Sequence, residues 1–160
     1  MRVPYLNTMK NQAYLHAIRL LTKRNYSKAK LIQKLKQKEY TPTEIEEAVS
    51  EVIAKRYLKE DEYIESRIKN FMRRGDSPAR IQQKLSGEGC HAELETVLSI
   101  FKEYEFTSND QLGQLIEKKL RSTPKDLVDF PKKQKILQFL ASRGHSREAA
   151  QSALEQYLDT

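Results

Sequence analysis

The chain has one cysteine, Cys90, and no tryptophan. A single thiol cannot close an intrachain disulfide, and an unpaired cysteine suits a reducing cytoplasm, where the chain is expected to act. No stretch approaches the roughly 18 apolar residues that a membrane-crossing helix needs. Met1-Arg2-Val3-Pro4-Tyr5 has no apolar run behind it, so no signal peptide is expected. The five glycines and five prolines are too few for a low-complexity linker protein. The three histidines, His16, His91 and His145, lie far apart and near no cysteine cluster, which leaves no metal-ligand spacing. There is no GxxxxGK[ST] loop, so the chain should not bind ATP itself. Cys90 has no visible base partner. The adjacent acids Glu46-Glu47 and Glu60-Asp61-Glu62 fall at helix starts, where the macrodipole favours them, and acid–base work is not expected of them. The expectation is therefore a protein that is not an enzyme, with no catalytic residue, no metal and no cofactor.

Acidic residues are missing from one region altogether. Residues 1–38 hold ten Lys or Arg and no Asp or Glu, within a chain of 160 residues and net charge +7. Residues 39–106 are slightly acidic and the remainder is mildly basic. A one-signed segment of this kind is the footprint of a partner rich in phosphate or carboxylate, although a solvated lysine-rich helix carries the same charge. Apolar residues make up 38% and charged residues 32% of the chain, which gives a thin core for the length and suits a helical array better than a sphere.

The periodicity is helical throughout. From Met9 to Arg24 the apolar stripe is Ala13, Tyr14, Ala17, Ile18, Leu20 and Leu21, and Asn25-Tyr26 breaks it. Ser27 reads as the N-cap of a second helix carrying Leu31, Ile32 and Leu35 inward. Thr41, followed by Pro42 and Glu44, reads as the N-cap of a third, with Ile45, Ala48, Val49, Val52 and Ile53 inward. The pattern recurs with Tyr63, Ile64, Ile68, Phe71 and Met72 up to a stop at Gly75. Asp76 or Ser77 then caps a helix with Ile81 and Leu85 that ends at Gly87 or Gly89, and a third helix follows with Leu94, Val97, Leu98 and Phe101. A last round runs from Ser108 with Leu112, Leu115, Ile116 and Leu120, through an irregular joint to Phe130-Pro131. Lys132 to Arg143 is helical, Gly144 is a stop, and a final helix is capped by Ser146. His91 and His145, at one repeat position, read as capping or solvent-facing residues.

KLKQKEYTPTEIEEAV, KLSGEGCHAELETVL and FLASRGHSREAAQSAL are three copies of one passage. Leu35, Leu85 and Leu140 correspond in them, as do Ile45, Leu94 and Ala149. The expected fold is all-α: three tandem three-helix repeats, at 9–58, 59–106 and 107–160, forming an elongated, curved helical array. Surfaces of this kind bind macromolecules more often than they catalyse.

Three segments, in order, resemble a known family. RYLKEDEYIESRI at 56–68 is similar to a Gly-Tyr-Leu-acidic turn leading into an acidic-aromatic helix start. RRGDSPARIQQKLSGEG at 73–89 and KKQKILQFLASRGHS at 132–146 resemble its second- and third-repeat signatures. The family is the RecX regulators. The resemblance implies binding to the RecA recombinase filament, with limitation of its ATPase, strand-exchange and co-protease activities in recombination, DNA repair and the SOS response. Arg56 stands where the family often has Gly, and Glu39 stands where the other repeats have Gly89 and Gly144. The first repeat is therefore expected to end its second helix differently.

Helix-face geometry selects the candidate contacts. Lys30 and Lys34 project opposite Leu31, Ile32 and Leu35. Lys69 and Arg73 share an outward stripe, and Arg67 and Arg74 flank the apolar face of the same helix. Arg80 and Lys84 form an i,i+4 pair. Lys132 and Lys133 precede the apolar Ile136-Leu137, and Arg143 and Arg147 bracket Gly144. Such arrays meet phosphates or acidic protein patches equally well. The expected partners are the RecA filament and the DNA within it, engaged by a monomer with no membrane. The alternatives are a DNA-binding helical protein using its basic N-terminal repeat, with weak direct binding to DNA, and a helical scaffold for another acidic protein.

Overall fold

A computed structural model describes residues 11–160. Met9, where the first helix is expected to start, and the basic Arg2 and Lys10 lie outside the described residues. Among the described residues there are nine α-helices and no strand: α1 Gln12–Lys23, α2 Lys28–Lys36, α3 Pro42–Ala54, α4 Glu60–Arg73, α5 Pro78–Gly87, α6 Leu94–Glu103, α7 Ser108–Leu120, α8 Phe130–Ser142 and α9 Arg147–Asp159. A 3-10 turn at Lys125–Leu127 occupies the joint before α8. The all-α expectation is met.

Short helices need defined ends, and the chain supplies them with a repeated three-residue corner. Six described residues that follow a helix have positive φ: Glu39 (61°), Arg56 (57°), Gly75 (93°), Gly89 (77°), Glu105 (49°) and Gly144 (87°). At Arg56, Gly75, Glu105 and Gly144 the closure is the same. The N–H of the stop residue donates to the carbonyl three residues back, and the next N–H donates to the carbonyl five back, as in Tyr57 to Val52 and Asp76 to Phe71. In four corners a Ser or Thr stands two residues after the stop and caps the following helix. Thr41 Oγ1 accepts from Glu44 N (3.2 Å), Ser77 Oγ from Arg80 N (3.2 Å), Thr107 Oγ1 from Asp110 N (3.1 Å) and Ser146 Oγ from Ala149 N (3.2 Å). Each cap is worth about 1 kcal/mol. Glu44 and Asp110 complete capping boxes by accepting from Thr41 N and Thr107 N. The hydrogen bond from Thr107 also holds the Asp110 carboxyl below its usual range. Glu39 meets one expectation in part: the first repeat uses the same left-handed conformation as the others, accepting the strain of a non-glycine, but its second helix ends differently, without the bond from the next N–H to the carbonyl five back.

Two compact units are distinguishable by packing: residues up to Ser66 with Gly87–Cys90, and Arg67–Ser86 with His91–Thr160. In the first, α1 and α2 pack on α3. Their core is Ala17, Tyr26, Leu31, Leu35, Ile45, Val49, Val52 and Leu58. In the second, α9 packs on α7 and α8 around Leu112, Leu115, Ile116, Leu120, Val128, Ile136, Leu140, Ala150 and Leu154. The i,i+4 pairs Leu31/Leu35, Ile81/Leu85 and Ile136/Leu140 are buried on the corresponding helices α2, α5 and α8, each residue contributing about 2 kcal/mol of apolar transfer.

The periodicity misplaced three residues. Ile53, Leu94 and Leu98 are 41%, 39% and 47% exposed. The turn before α6 is two residues longer than its counterparts, so Glu93 is the N-cap and Val97, not Leu94, stands four residues after it, the place that Ile45 and Ala150 hold after Thr41 and Ser146. Ile45, Val97 and Ala150 are all buried.

Glu105→Gly should relieve a left-handed non-glycine and raise stability by about 0.5–1 kcal/mol, whereas Thr107→Ala beside it should lower stability by about 1 kcal/mol. Urea unfolding midpoints at constant m-value test both, and a lowered midpoint for Glu105→Gly would refute the strain argument.

Candidate partner-binding surface

The corner Gly75-Asp76-Ser77 organises the basic residues of the second unit. Gly75 is required there by its φ and by space, since a Cβ would come within 2.6 Å of the Leu115 side chain. Asp76 is completely buried. Its Oδ2 accepts from Lys84 Nζ at 2.8 Å, and its Oδ1 faces Arg143 Nη1 at 3.8 Å. A lone buried carboxylate would cost several kcal/mol, and the two cations offset that cost. The backbone of the corner is held from the third repeat's side as well. Gln111 Nε2 donates to Met72 O (2.9 Å) and Asp76 O (2.7 Å), His145 Nε2 lies 2.8 Å from Gly75 O, and Ser77 N donates to Arg143 O (2.8 Å). Facing a carbonyl, His145 Nε2 carries the proton. His145 is therefore a buried structural donor and not the capping or solvent-facing residue expected of it. His91 is exposed, 2.8 Å from Glu93 Oε1. Gly144, like Gly75, leaves no room for a side chain: a Cβ would meet Ser77 Oγ and Arg80 Cβ.

Several expected contact residues are thus fixed by the protein itself. Lys84 lies over the Phe71 ring at 4.9 Å, with Arg67 at 4.4 Å. Arg143 lies over Phe139 at 5.3 Å, where Lys119 also stacks at 4.3 Å. Lys69 lies over Tyr104 at 5.1 Å. Cation–π seating holds each charge in place at partial exposure. Arg80 Nη1 donates to Gln83 Oε1 at 2.7 Å, while its Nε is buried without a partner. Arg73, Arg74 and Arg147 are exposed, as is Lys132, whose Nζ donates to Thr123 Oγ1 at 3.4 Å; Lys133 is half-buried. Lys132, Lys133 and Arg147 stand in the first turns of α8 and α9, where the macrodipole disfavours cations and the positive potential is reinforced.

In the first unit Lys30 is exposed and Lys34 half-buried on α2. Two grooves there went unnoticed in the sequence. One of about 540 Å³ runs between α2 and α3, with Ile32, Tyr40 and Val49 on its walls and Lys28 and Lys36 beside them. The other, of about 420 Å³, lies between the end of α1 and the turn into α4, lined by Ile18, Thr22, Asn25, Arg56, Tyr57 and Lys59. Only the departure of Arg56 from glycine hinted at the second. His16, with its Nδ1 3.4 Å from the Tyr40 hydroxyl, is pushed below the usual histidine range by burial and by Lys38 and Arg19. Glu51 and Tyr14, both hydrogen-bonded to Lys55 Nζ, push that ammonium upward.

Comparison with known proteins gives two family matches: "RecX, first three-helix domain" over residues 13–51 and "RecX, third three-helix domain" over residues 109–154. The Regulatory protein RecX of Actinobacillus pleuropneumoniae serotype 5b is 34% identical over 128 residues, covering 78% of this chain and 79% of its own length. That of Trichlorobacter lovleyi is 26% identical over 147 residues, covering 91% and 96%. The crystal structure of RecX from Lactobacillus salivarius aligns with a TM-score of 0.69 at 21% identity, over 92% of this chain and 95% of that one, which shows a shared fold.

Asp76→Asn should cost about 2–3 kcal/mol in unfolding free energy, because Lys84 and Arg143 lose the charge that holds them. An unchanged urea midpoint would mean that the buried pair contributes nothing net. The lowered pKa of His16 means that the unfolded chain takes up its proton first as pH falls. Its contribution to stability is therefore complete above about pH 6.5 and lost below it. Replacing His16 with Gln should flatten the stability profile between neutrality and about pH 5, and an undiminished slope would assign the loss elsewhere.

Proposed function

Since the chain belongs to the RecX family of regulatory proteins, we propose that it binds the RecA–DNA filament and inhibits or modulates the filament's ATPase, strand-exchange and co-protease activities in recombination, DNA repair and the SOS response. The observation that carries this reading is the array of cations held in place on aromatic rings beside exposed ones. Arg67, Lys69, Lys84 and Arg143 are seated on rings, while Arg73, Arg74 and Arg147 are exposed. A pre-positioned cation loses little freedom on meeting a phosphate or carboxylate, so contacts that are individually weak add up. In this reading the three repeats, 9–58, 59–106 and 107–160, each contribute. Lys30 and Lys34 act from the first, Arg73, Arg74 and Arg80 from the second, and Lys132, Lys133 and Arg147 from the third. Lys84 and Arg143 serve mainly to organise the surface. The protein acts as a cytoplasmic monomer that occupies the filament and restrains its change of state.

A second reading, direct binding to DNA, is favoured by one observation: no acidic residue interrupts Asn11–Lys38, which contains α1 and α2. Tight binding to bare DNA with a steep salt dependence would favour it.

RecA ATP hydrolysis on single-stranded DNA, with the protein titrated in, decides between them. The expected result is inhibition at substoichiometric protein, weakened about tenfold or more by combined Arg73→Glu and Arg74→Glu with thermal unfolding unchanged. Unchanged hydrolysis at stoichiometric protein sinks the filament reading.

A further inference from the structure

Of the six left-handed corners, those at Arg56 and Gly89 lack the hydroxyl that the other four carry. At Arg56-Tyr57-Leu58 the third residue is Leu58, which is buried and completes the core of the first unit. Leu58 performs the packing, so Tyr57 has no part in it, and 51% of Tyr57 is exposed. The backbone of Tyr57 is nevertheless fixed, because its N–H donates to Val52 O at 2.8 Å. An exposed tyrosine ring on a fixed backbone is a stacking platform, and with two side-chain torsions it loses little conformational entropy on stacking.

Arg56 adds a second observation. Its φ of 57° is a conformation that glycine adopts without strain and arginine does not. Glu39 and Glu105 bear the same strain, so strain alone singles out nothing. At Arg56 it coincides with a groove. Arg56 and Tyr57 line it together with Lys59 and the carboxylate of Glu62, and Thr22 and Asn25 face them from the end of α1. Lys59 Nζ is 3.7 Å from Glu62 Oε1 with both side chains exposed, a weak pair that a phosphate can displace. The volume, about 420 Å³, falls in the range of small-ligand sites, roughly 300–1,000 Å³.

We infer that this groove is a binding site for one nucleotide unit, its base stacked on Tyr57 and its phosphate held by Arg56 and Lys59. The Asn25 side chain, with both a donor and an acceptor, is placed to meet the base edge. The strain at Arg56 is then retained because glycine could not supply the cation. The unit can come from a single strand or from a free nucleotide. The inference does not rest on the filament reading, since it concerns binding without RecA.

Fluorescence anisotropy of a short labelled oligo(dT) with the full chain at low salt tests it. Alongside run an abasic strand of the same length, and thymidine monophosphate and a poly-glutamate peptide as competitors. Arg56→Gly should weaken oligo(dT) binding about tenfold while raising the melting temperature, which separates lost binding from lost folding. Tyr57→Ala should weaken oligo(dT) binding about tenfold and leave the abasic strand unaffected, and Tyr57→Phe should retain binding. Displacement by thymidine monophosphate would identify free nucleotides as ligands. Failure to displace, with both variants defective, would assign the site to strands. Wild-type affinity in both variants would overturn the proposal. So would equal loss by Tyr57→Ala on both strands, or displacement of the oligo(dT) by poly-glutamate.

Discussion

A helix of three turns buries its apolar stripe against a neighbour only if the chain reverses at once, and reversal leaves the last carbonyls of one helix and the first N–H groups of the next without partners. At four of its corners this chain meets both demands within three residues. A left-handed residue closes the carbonyls, one residue passes, and a hydroxyl caps the N–H groups of the following helix. The backbone of the residue in the middle is held from both sides, since its neighbours are hydrogen-bonded into helices. Chemistry concentrates there. Asp76 and His145 are middle residues turned inward, and Tyr57 is a middle residue turned outward.

Much of this could be read from the sequence because it is local. The caps at Ser27, Thr41 and Ser146, the stops at Gly75 and Gly144 and the repeat of Leu35, Leu85 and Leu140 are patterns within a few residues. The errors have physical causes. Leu94 was assigned to the core because the repeat register was carried across a turn two residues longer than its counterparts. Lys84 and Arg143 looked like free surface cations because helix periodicity knows nothing of Asp76, whose burial depends on contacts from residues as far away as Gln111 and His145. The groove beside Tyr57 joins residues of α1 to residues beyond α3, a proximity that no single helical wheel contains.

The electrostatics follow from the same economy. The buried carboxylate of Asp76 organises two cations that would otherwise swing freely, and aromatic rings seat others. Rigidity at a charged surface lowers the entropy lost on association, whatever the anion that meets it. The cations at the starts of α8 and α9 cost those helices some stability, a local conflict of the sort that accompanies binding surfaces.

The core of the first unit has an implication for synthesis. Among the described residues, its buried members lie between Ala17 and Leu58. Its helix reversals are written in the residues that make them, and its contacts stay within one stretch of the chain. Low contact order of this kind makes folding fast. The buried side chains of this cluster have all left the ribosome once Leu58 has, so it can close while the residues around Asp76 and His145 are still being translated.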